Sequence, residues 1–252
     1  MAELLRPETL LLILAGPCMG SFVGVLADRL PAGRPLVWSR SACPHCGETL
    51  TIRDLVPIAG WLVNRGRCRH CGHAVSAVYP AIELAATLIA LWSLAVLPGW
   101  LAWAGGALGW TLLALSVIDV RHLVLPDQLT LPLIPAGLAV TWAVAPDAVL
   151  AHFLAALGGF LLFAALAVAY RRLRGREGIG LGDAKLLAAA GAWVSWQGLP
   201  GVVLLAAAGG LAGAMAKGLV AGRLEPGQAL PFGPYLAGGL WLVWLYGPIG
   251  FG

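Results

Sequence analysis

Residues 106–119 read GALGWTLLALSVID, and this apolar run closed by Asp119 decides how the chain must fold. A second aspartate, Asp183, closes the glycine-punctuated stretch GIGLGD at 178–183 and opens the apolar run AKLLAAAGAWV at 184–194. An ionisable side chain at the border of a hydrophobic segment is costly to desolvate, which favours a functional role over that of a solvated border residue. If the two carboxyl groups converge, one can activate water while the other donates a proton.

The composition excludes a soluble fold. Of the 252 residues, 60% are hydrophobic and 11% are charged, whereas soluble domains carry about 25% charged residues. A helix needs roughly 20 residues to cross the hydrocarbon core, so we predict an all-α polytopic membrane protein with about eight transmembrane helices. Their approximate ranges are 8–27, 80–97, 100–118, 129–146, 149–170, 184–198, 201–219 and 231–249. Gly198 and Pro200 mark the predicted joint between the sixth and seventh helices.

The basic residues predict the orientation, because cytoplasmic loops are enriched in Lys and Arg. With the N-terminus outside, the inside segments are about 28–79, 119–128, 171–183 and 217–230. These segments and Lys185, just beyond the third of them, hold fifteen of the 16 Lys and Arg residues; only Arg6 lies outside. Both termini are therefore predicted outside, and Asp119 and Asp183 at the same, cytoplasmic border. The net charge of +4 is explained by this topology without a nucleic-acid partner.

Four of the five cysteines lie in the first inside loop, as Cys43-Pro-His-Cys46-Gly and Cys68-Arg-His-Cys71-Gly. Each CxxC turn aims two thiolates at one ion, so the pair predicts a structural Zn²⁺ site with four sulfur ligands and no open position for catalysis. His45 and His70, at the same place in each turn, are expected to face solvent or to lie behind the ligands.

The loop between these turns is too short and too interrupted to cross a membrane, and Asp54, Pro57 and Trp61 suit a small zinc-held lobe at its surface. A zinc ribbon that binds nucleic acid is the alternative, but topology already accounts for the arginines. The predicted domains are a first transmembrane helix at 1–27, a cytoplasmic zinc-binding loop at 28–79 and a seven-helix membrane core at 80–252.

Several stretches together resemble one known family, the type IV prepilin peptidases, which are GxGD-type aspartic proteases. The segment from Gly178 to Trp193, with its Gly-Ile-Gly-Leu-Gly-Asp183, is similar to the GxGD signature, and Ser116 to Asp127 resembles the other catalytic segment. Gly20 to Pro31 is similar to the first-helix signature, although Gly24 stands where the family usually has Asn. The paired CxxC turns followed by Tyr79-Pro80-Ala-Ile-Glu83 match the loop of bifunctional members.

The resemblance implies an enzyme of the bacterial inner membrane with two activities. One is cleavage of the leader of type IV prepilins or pseudopilins after a glycine. The other is N-methylation of the new N-terminal residue, with S-adenosylmethionine as the methyl donor. The residues themselves offer no glycine fingerprint of a dinucleotide-type fold for that donor. The expected partners are the substrates and the lipid bilayer.

The helix ends suggest separate roles for the two predicted catalytic residues. Asp183 lies at a helix N-terminus, which favours the ionised form, and is predicted to activate water; Asp119 lies at a C-terminus and is predicted to be the protonated partner. Asp127 is expected only to cap a helix that starts at Gln128.

Further residues are predicted to meet the substrate or the methyl donor. Gly178, Gly180 and Gly182 are predicted to let the substrate backbone approach Asp183. Lys185 is predicted to hold a carboxylate or an acidic substrate residue, or to extend its charge to the membrane interface. Glu83 is a candidate for contact with the substrate amine or the methyl donor, unless it only matches its helix dipole.

Two other classes of function remain open at this point. A transporter would use inside-facing carboxylates as ion sites, but such charges usually lie near the membrane midplane on broken helices. A noncatalytic scaffold could recruit partners through its zinc lobe, but it would leave the glycine-rich loop before Asp183 unexplained.

Overall fold

The computed structural model describes residues 7–36, 40–175, 180–221 and 230–248. Within these residues the secondary structure is helical, apart from two isolated bridges, Ala42 with Thr49 and Arg67 with Ala74. The chain forms two compact units, Met1–Ala114 and Leu115–Gly252, which divide within α4. The helices are α1 (Pro7–Arg29), α2 (Ala59–Val63), α3 (Val78–Val96), α4 (Leu101–His122), α5 (Asp127–Val144), α6 (Val149–Arg174), α7 (Leu181–Ala221) and α8 (Gly233–Tyr246), with a 3₁₀ turn at Pro146–Ala148.

In the first unit, α1 and α3 pack backbone against backbone. A Cβ atom added to Gly16 would lie 2.8 Å from Thr87 Cα, and one added to Gly20 would collide with Glu83 Cα. Glycines permit this approach because hydrocarbon gives helices no hydrophobic reason to associate, so close packing must hold them together. The indole N–H of Trp110 in α4 donates to the carbonyl of Ala86 in α3 at 2.8 Å, which ties α4 to the α1–α3 pair.

In the second unit, α7 packs against α5, α6 and α8. A Cβ atom at Gly191 would lie 2.5 Å from the carbonyl carbon of Ala155, so α6 and α7 touch through their backbones. The indole N–H of Trp193 donates to the carbonyl of Leu133 in α5 at 2.8 Å. The first part of α7 is therefore almost fully enclosed by its neighbours.

The helix α7 is interrupted at Ser195, whose φ of 57° and ψ of −171° are not helical. The break lies at Ser195 rather than at the predicted joint of Gly198 and Pro200. Proline clashes with the carbonyl four residues earlier, which here belongs to Trp196, so the chain leaves the helix about one turn before Pro200. The Nδ1 atom of His152 lies 3.0 Å from the carbonyl of Ala192, just before this break.

Among the residues that the structure describes, five helical stretches are long and apolar enough to cross a membrane. They are Pro7–Arg29, Val78–Val96, Leu101–His122, Pro146–Leu173 and Leu181–Leu219. The last of these holds the sixth and seventh predicted spans, divided at Ser195, while α5 and α8 correspond to the fourth and eighth. The predicted all-α membrane fold, with its four cysteines between the first two spans, is confirmed. The predicted domains at 1–27, 28–79 and 80–252 remain a prediction.

Candidate active site and metal-binding lobe

Asp119 lies in the last turn of α4 and is buried, with 6% of its surface exposed. The last turn of a helix presents unpaired carbonyls and no free N–H groups, so a buried carboxyl there must find its donor elsewhere. Its Oδ2 atom accepts a hydrogen bond of 2.9 Å from the backbone N–H of Gly233, the first residue of α8. The start of α8 thus supplies the donor that α4 lacks.

Asp183 lies in the first turn of α7 and is partly buried. Its Oδ2 atom accepts the backbone N–H of Gly180 at 3.2 Å, and its own N–H donates to the carbonyl of Gly180 at 3.1 Å. The side-chain bond is one half of a capping box, in which the third helical residue reaches back to the amide before the helix. The sequence Gly-Leu-Gly-Asp therefore builds a helix start that holds its own carboxylate.

The two aspartates belong to one site, organised around the buried side chain of Leu125. A Cβ atom at Gly182 would lie 3.0 Å from Leu125 Cβ, and one at Gly233 would lie 3.0 Å from Leu125 Cδ2. Asp119, which is bonded to the Gly233 amide, and Asp183, which follows Gly182, are thus linked to the same leucine. Their action as a catalytic pair stays a prediction.

Lys185 and Asp127 form an ion pair beside this site, with 2.6 Å between Nζ and Oδ1. The prediction that Asp127 caps a helix starting at Gln128 is wrong. The helix α5 begins at Asp127 itself, after Pro126, and the structure shows no side-chain cap there. A carboxylate in the first helical turn is still favoured by the helix dipole, and its side chain is free to meet Lys185 of α7.

The glycines of the GxGD segment occupy different positions. Gly180 is exposed beside Asp183, whereas Gly182 lies inside α7 and makes room for Leu125. Neither has a backbone conformation that only glycine adopts readily. Gly178 lies outside the described residues.

The cysteine loop folds as two similar turns, which we call the knuckles: residues 42–49 and 67–74. In the first knuckle, the Cys43 N–H donates to the Glu48 carbonyl and the Gly47 N–H to the Cys43 carbonyl, both at 2.9 Å. The second knuckle repeats this pattern: the Cys68 N–H donates to the His73 carbonyl at 2.8 Å, and the Gly72 N–H to the Cys68 carbonyl at 2.9 Å. Gly47 and Gly72 have φ values of 74° and 70°, a left-handed conformation that glycine adopts without strain.

The four cysteine sulfurs converge to within 4.8 Å of one another. Cys43 Sγ lies 3.9 Å from Cys71 Sγ, and Cys46 Sγ lies 4.0 Å from Cys68 Sγ. Four sulfurs at the zinc–sulfur distance of about 2.3 Å form a tetrahedron with edges of about 3.8 Å. The cluster can therefore bind zinc.

Comparisons with known proteins match both parts of the chain. The family described as the bacterial peptidase A24 N-terminal domain matches residues 14–97, which include all four knuckle cysteines. The type IV leader peptidase family matches residues 106–215, which include Asp119 and Asp183. No solved structure matches the chain.

Curated relatives agree with these families. The chain is 46% identical over 216 residues to the prepilin leader peptidase/N-methyltransferase of Burkholderia pseudomallei (strain 1026b), covering 84% of this chain and 69% of that protein. It is 38% identical over 260 residues to the protein of the same name from Aeromonas hydrophila, covering 91% and 87%. The Dickeya chrysanthemi relative is 40% identical over 257 residues, covering 92% and 90%. The chain belongs to the type IV leader peptidase family.

The lobe between α1 and α3 has its own polar core, which is centred on Asp54. Its carboxylate accepts the hydroxyl of Thr51 at 2.6 Å and the amide of Asn64 at 3.1 Å, and it pairs with Arg69 at 3.0 Å. The Thr51 hydroxyl above all lowers the pKa of Asp54, so the charged form is the stable one. Trp61 donates to Val75 O at 3.0 Å. His45 and His70 are both exposed, as predicted.

Glu83 is buried near the start of α3, and its Oε2 atom accepts the backbone N–H of Ile58 at 2.6 Å. A side-chain hydrogen bond with Ser21 of α1 also holds this carboxylate. Ile58 has a φ of 61°, which is strained for a β-branched residue, and it directly precedes α2. Glu83 thus anchors the cysteine-containing lobe to α1 and α3 within the first unit.

Sequence reasoning missed three parts of these sites: Gly233, Leu125 and Ile58. The only signal for Gly233 was its position between Pro231 and Pro234 at the start of the last apolar run. The unusual Gly24 also has a local explanation, since a Cβ atom there would lie 3.3 Å from the ring of Tyr79.

Proposed function

We propose that this chain is an aspartic endopeptidase of the bacterial inner membrane. It cleaves the leader peptide of type IV prepilins or pseudopilins after a glycine, and it then methylates the new N-terminal amine. The observation that carries the proposal is the aspartate site, in which Gly182, next to Asp183, and Gly233, bonded to Asp119, both pack against Leu125. The printed names of the relatives, prepilin leader peptidase/N-methyltransferase, support both activities.

The proposed cleavage uses the two carboxyl groups as base and acid. Asp183 takes a proton from water as the water oxygen bonds to the carbonyl carbon of the leader glycine, and Asp119 gives its proton to the carbonyl oxygen. When the C–N bond breaks, Asp183 passes its proton to the leaving amine. The carbonyl re-forms as a hydroxyl proton returns to Asp119, which restores both groups.

The surrounding residues are proposed to place the substrate. Gly180 is exposed next to the Asp183 carboxylate, so a substrate backbone can approach there without meeting a side chain. Gly178 belongs to the same proposed approach, and Gly182 supports it indirectly by admitting Leu125 beside Asp183. Lys185 is held by Asp127 but its side chain is 29% exposed, which leaves donors for an acidic substrate residue.

The proposed orientation places both termini in the periplasm and the aspartate site at the cytoplasmic border. Its support is the concentration of Lys and Arg in the inside segments. Substrates that are still anchored in the membrane can then reach the site from the bilayer. The proposed partners are therefore prepilins or pseudopilins together with lipid, and no nucleic acid.

The proposed metal is a structural Zn²⁺ held by Cys43, Cys46, Cys68 and Cys71. The sulfur separations match a tetrahedral site, and four protein ligands leave no position for a reacting water. Zinc would supply folding energy to a lobe that is too small to bury an adequate core.

The proposed methyl donor is S-adenosylmethionine. The described residues contain no glycine-rich strand-to-helix turn of the kind that binds nucleotides, so no pocket for this donor is assigned. Glu83 is the proposed residue for contact with the substrate amine or the donor, since it is a buried carboxylate outside the aspartate site.

Replacement of either aspartate by asparagine tests the peptidase assignment. We expect Asp119→Asn and Asp183→Asn each to lower the cleavage rate by at least about a thousandfold, because each removes a proton-transfer group. Mass spectrometry of the mature pilin N-terminus reports the cut. Asp147→Asn, at an exposed aspartate in the Pro146–Ala148 turn, is the control and should cleave normally. Normal cleavage by Asp119→Asn would refute the mechanism.

Metal analysis of the purified protein tests the zinc site. We expect a single Zn²⁺ per chain, which Cys43→Ser or Cys68→Ser should remove because three thiolates bind far more weakly than four. Cys18→Ser, outside the cluster, should keep the full zinc content. Full zinc in Cys43→Ser would show that the metal is held elsewhere.

Glu83→Gln tests whether methyl transfer needs the charge of Glu83, while it keeps the hydrogen bond that attaches the lobe. Glutamine retains an acceptor for the Ile58 amide, so the lobe should stay attached and prepilin cleavage should continue. We expect the cleaved pilin to lack its N-methyl group, which adds about 14 Da to the peptide in the wild type. Complete methylation by Glu83→Gln would remove Glu83 from the methyl-transfer site.

Cysteine labelling in intact cells tests the orientation. In a Cys18→Ser background, we expect Trp100→Cys to react with a membrane-impermeant maleimide, because it lies at the predicted outside end of the third span and is 51% exposed. Leu173→Cys, 83% exposed at the inside end of α6, should react only after permeabilisation. The reverse pattern would invert the proposed topology.

A further inference from the structure

The N–H groups at the start of α8 are almost all committed. The N–H groups of Tyr235 and Leu236 both lie 3.1 Å from the carbonyl of Phe232, and Pro234 has no N–H group. The amide of Gly233 remains, and it donates to Asp119 Oδ2 in a buried bond. The local sequence therefore directs one amide of this helix start at one carboxyl oxygen.

Residue 233 is a glycine because the space is limited. An added Cβ atom would lie 2.8 Å from Asp119 Oδ2 and 3.0 Å from Leu125 Cδ2. Gly233 does not have a positive φ, so its backbone conformation is open to other residues. Any side chain there would have to displace the Asp119 carboxyl group or Leu125.

The start of α8 is itself held in place by α7, the helix that carries Asp183. The ring of Tyr235 lies in a groove of small residues in α7: a Cβ atom at Gly209 would lie 3.0 Å from its Cδ1, and one at Gly213 would collide with its hydroxyl. An amide that is fixed to α7 therefore sets the position of the Asp119 carboxyl group.

We infer that Gly233 is a positioning residue of the aspartate pair. Its N–H holds Oδ2 of Asp119 and leaves Oδ1 for proton exchange with substrate, as the N–H of Gly180 does for Asp183. Each acidic group of the site thus has one oxygen bound by a backbone amide from a helix start. This inference rests on the proposed peptidase function and adds a third chain segment to its site.

The expected kinetic effect falls on the chemical step. A displacement of about 1 Å in a reacting group can lower a rate by about a hundredfold. We therefore expect Gly233→Ala to lower kcat for prepilin cleavage by about a hundredfold and to leave KM within about twofold of the wild type. A loss of folded protein would also lower the apparent kcat at an unchanged KM, so thermal unfolding and methylation activity must be measured beside the kinetics.

The matched control is Gly238→Ala in the same helix, where an added Cβ atom meets nothing within 4 Å. Full-length wild type, Gly233→Ala and Gly238→Ala are purified in detergent and assayed on a full-length prepilin. Their thermal unfolding and their N-methylation of an already cleaved pilin are measured in parallel. Gly238→Ala should match the wild type throughout, and Gly233→Ala should lose cleavage while it keeps methylation.

A second variant tests the hydrogen bond without adding bulk. Replacing the Gly233 amide by an ester, through incorporation of glycolic acid, removes the N–H and adds no Cβ atom. Loss of the hydrogen bond from this amide to the Asp119 carboxyl group should lower kcat by up to about tenfold. This variant keeps the inference testable even if Gly233→Ala does not fold.

The outcomes distinguish a failure of the Gly233 inference from a failure of the proposed peptidase function. If the wild type and Gly238→Ala cleave prepilin and Gly233→Ala or the ester variant cleaves at the same kcat, the inference is wrong and the peptidase function stands. If the wild type cleaves no prepilin, the proposed function fails and the inference fails with it.

Discussion

The site depends on the hydrogen bond between the Gly233 amide and the buried carboxyl group of Asp119. A carboxyl group at the end of an apolar helix loses its water, and that helix end offers only carbonyls in return. The opposite end of another helix supplies the missing N–H. Because the bond joins residues 114 positions apart, it forms only when distant parts of the second unit come together.

Glycine is the means by which these helices come close enough. Gly191 lets α6 and α7 touch through their backbones, Gly182 admits Leu125 beside Asp183, and Gly233 admits the Asp119 carboxyl group. In hydrocarbon, van der Waals contact replaces the hydrophobic effect as the force between helices. The same small residues that hold the bundle together therefore also set the geometry of the acidic groups.

The sequence predicted the features that have local signals. Asp119 and Asp183 close or open apolar runs, and the four cysteines repeat a CxxC spacing, so a few neighbouring residues were sufficient. Gly233 and the Asp127–Lys185 pair were not predictable in this way, because their partners lie 114 and 58 positions away. The break in α7 was misplaced because proline disturbs the turn before it, so Pro200 marks the break at Ser195 only indirectly.

The aspartate site and the cysteine cluster lie in different units. Each bond described for the aspartate site joins residues of Leu115–Gly252, whereas the cysteine cluster and Glu83 lie in Met1–Ala114. A metal-held lobe gains its stability from ligand bonds, and an acid pair gains its geometry from fixed helix ends. Since neither unit uses the other's residues for these bonds, a substitution such as Gly233→Ala can impair cleavage and leave the lobe intact.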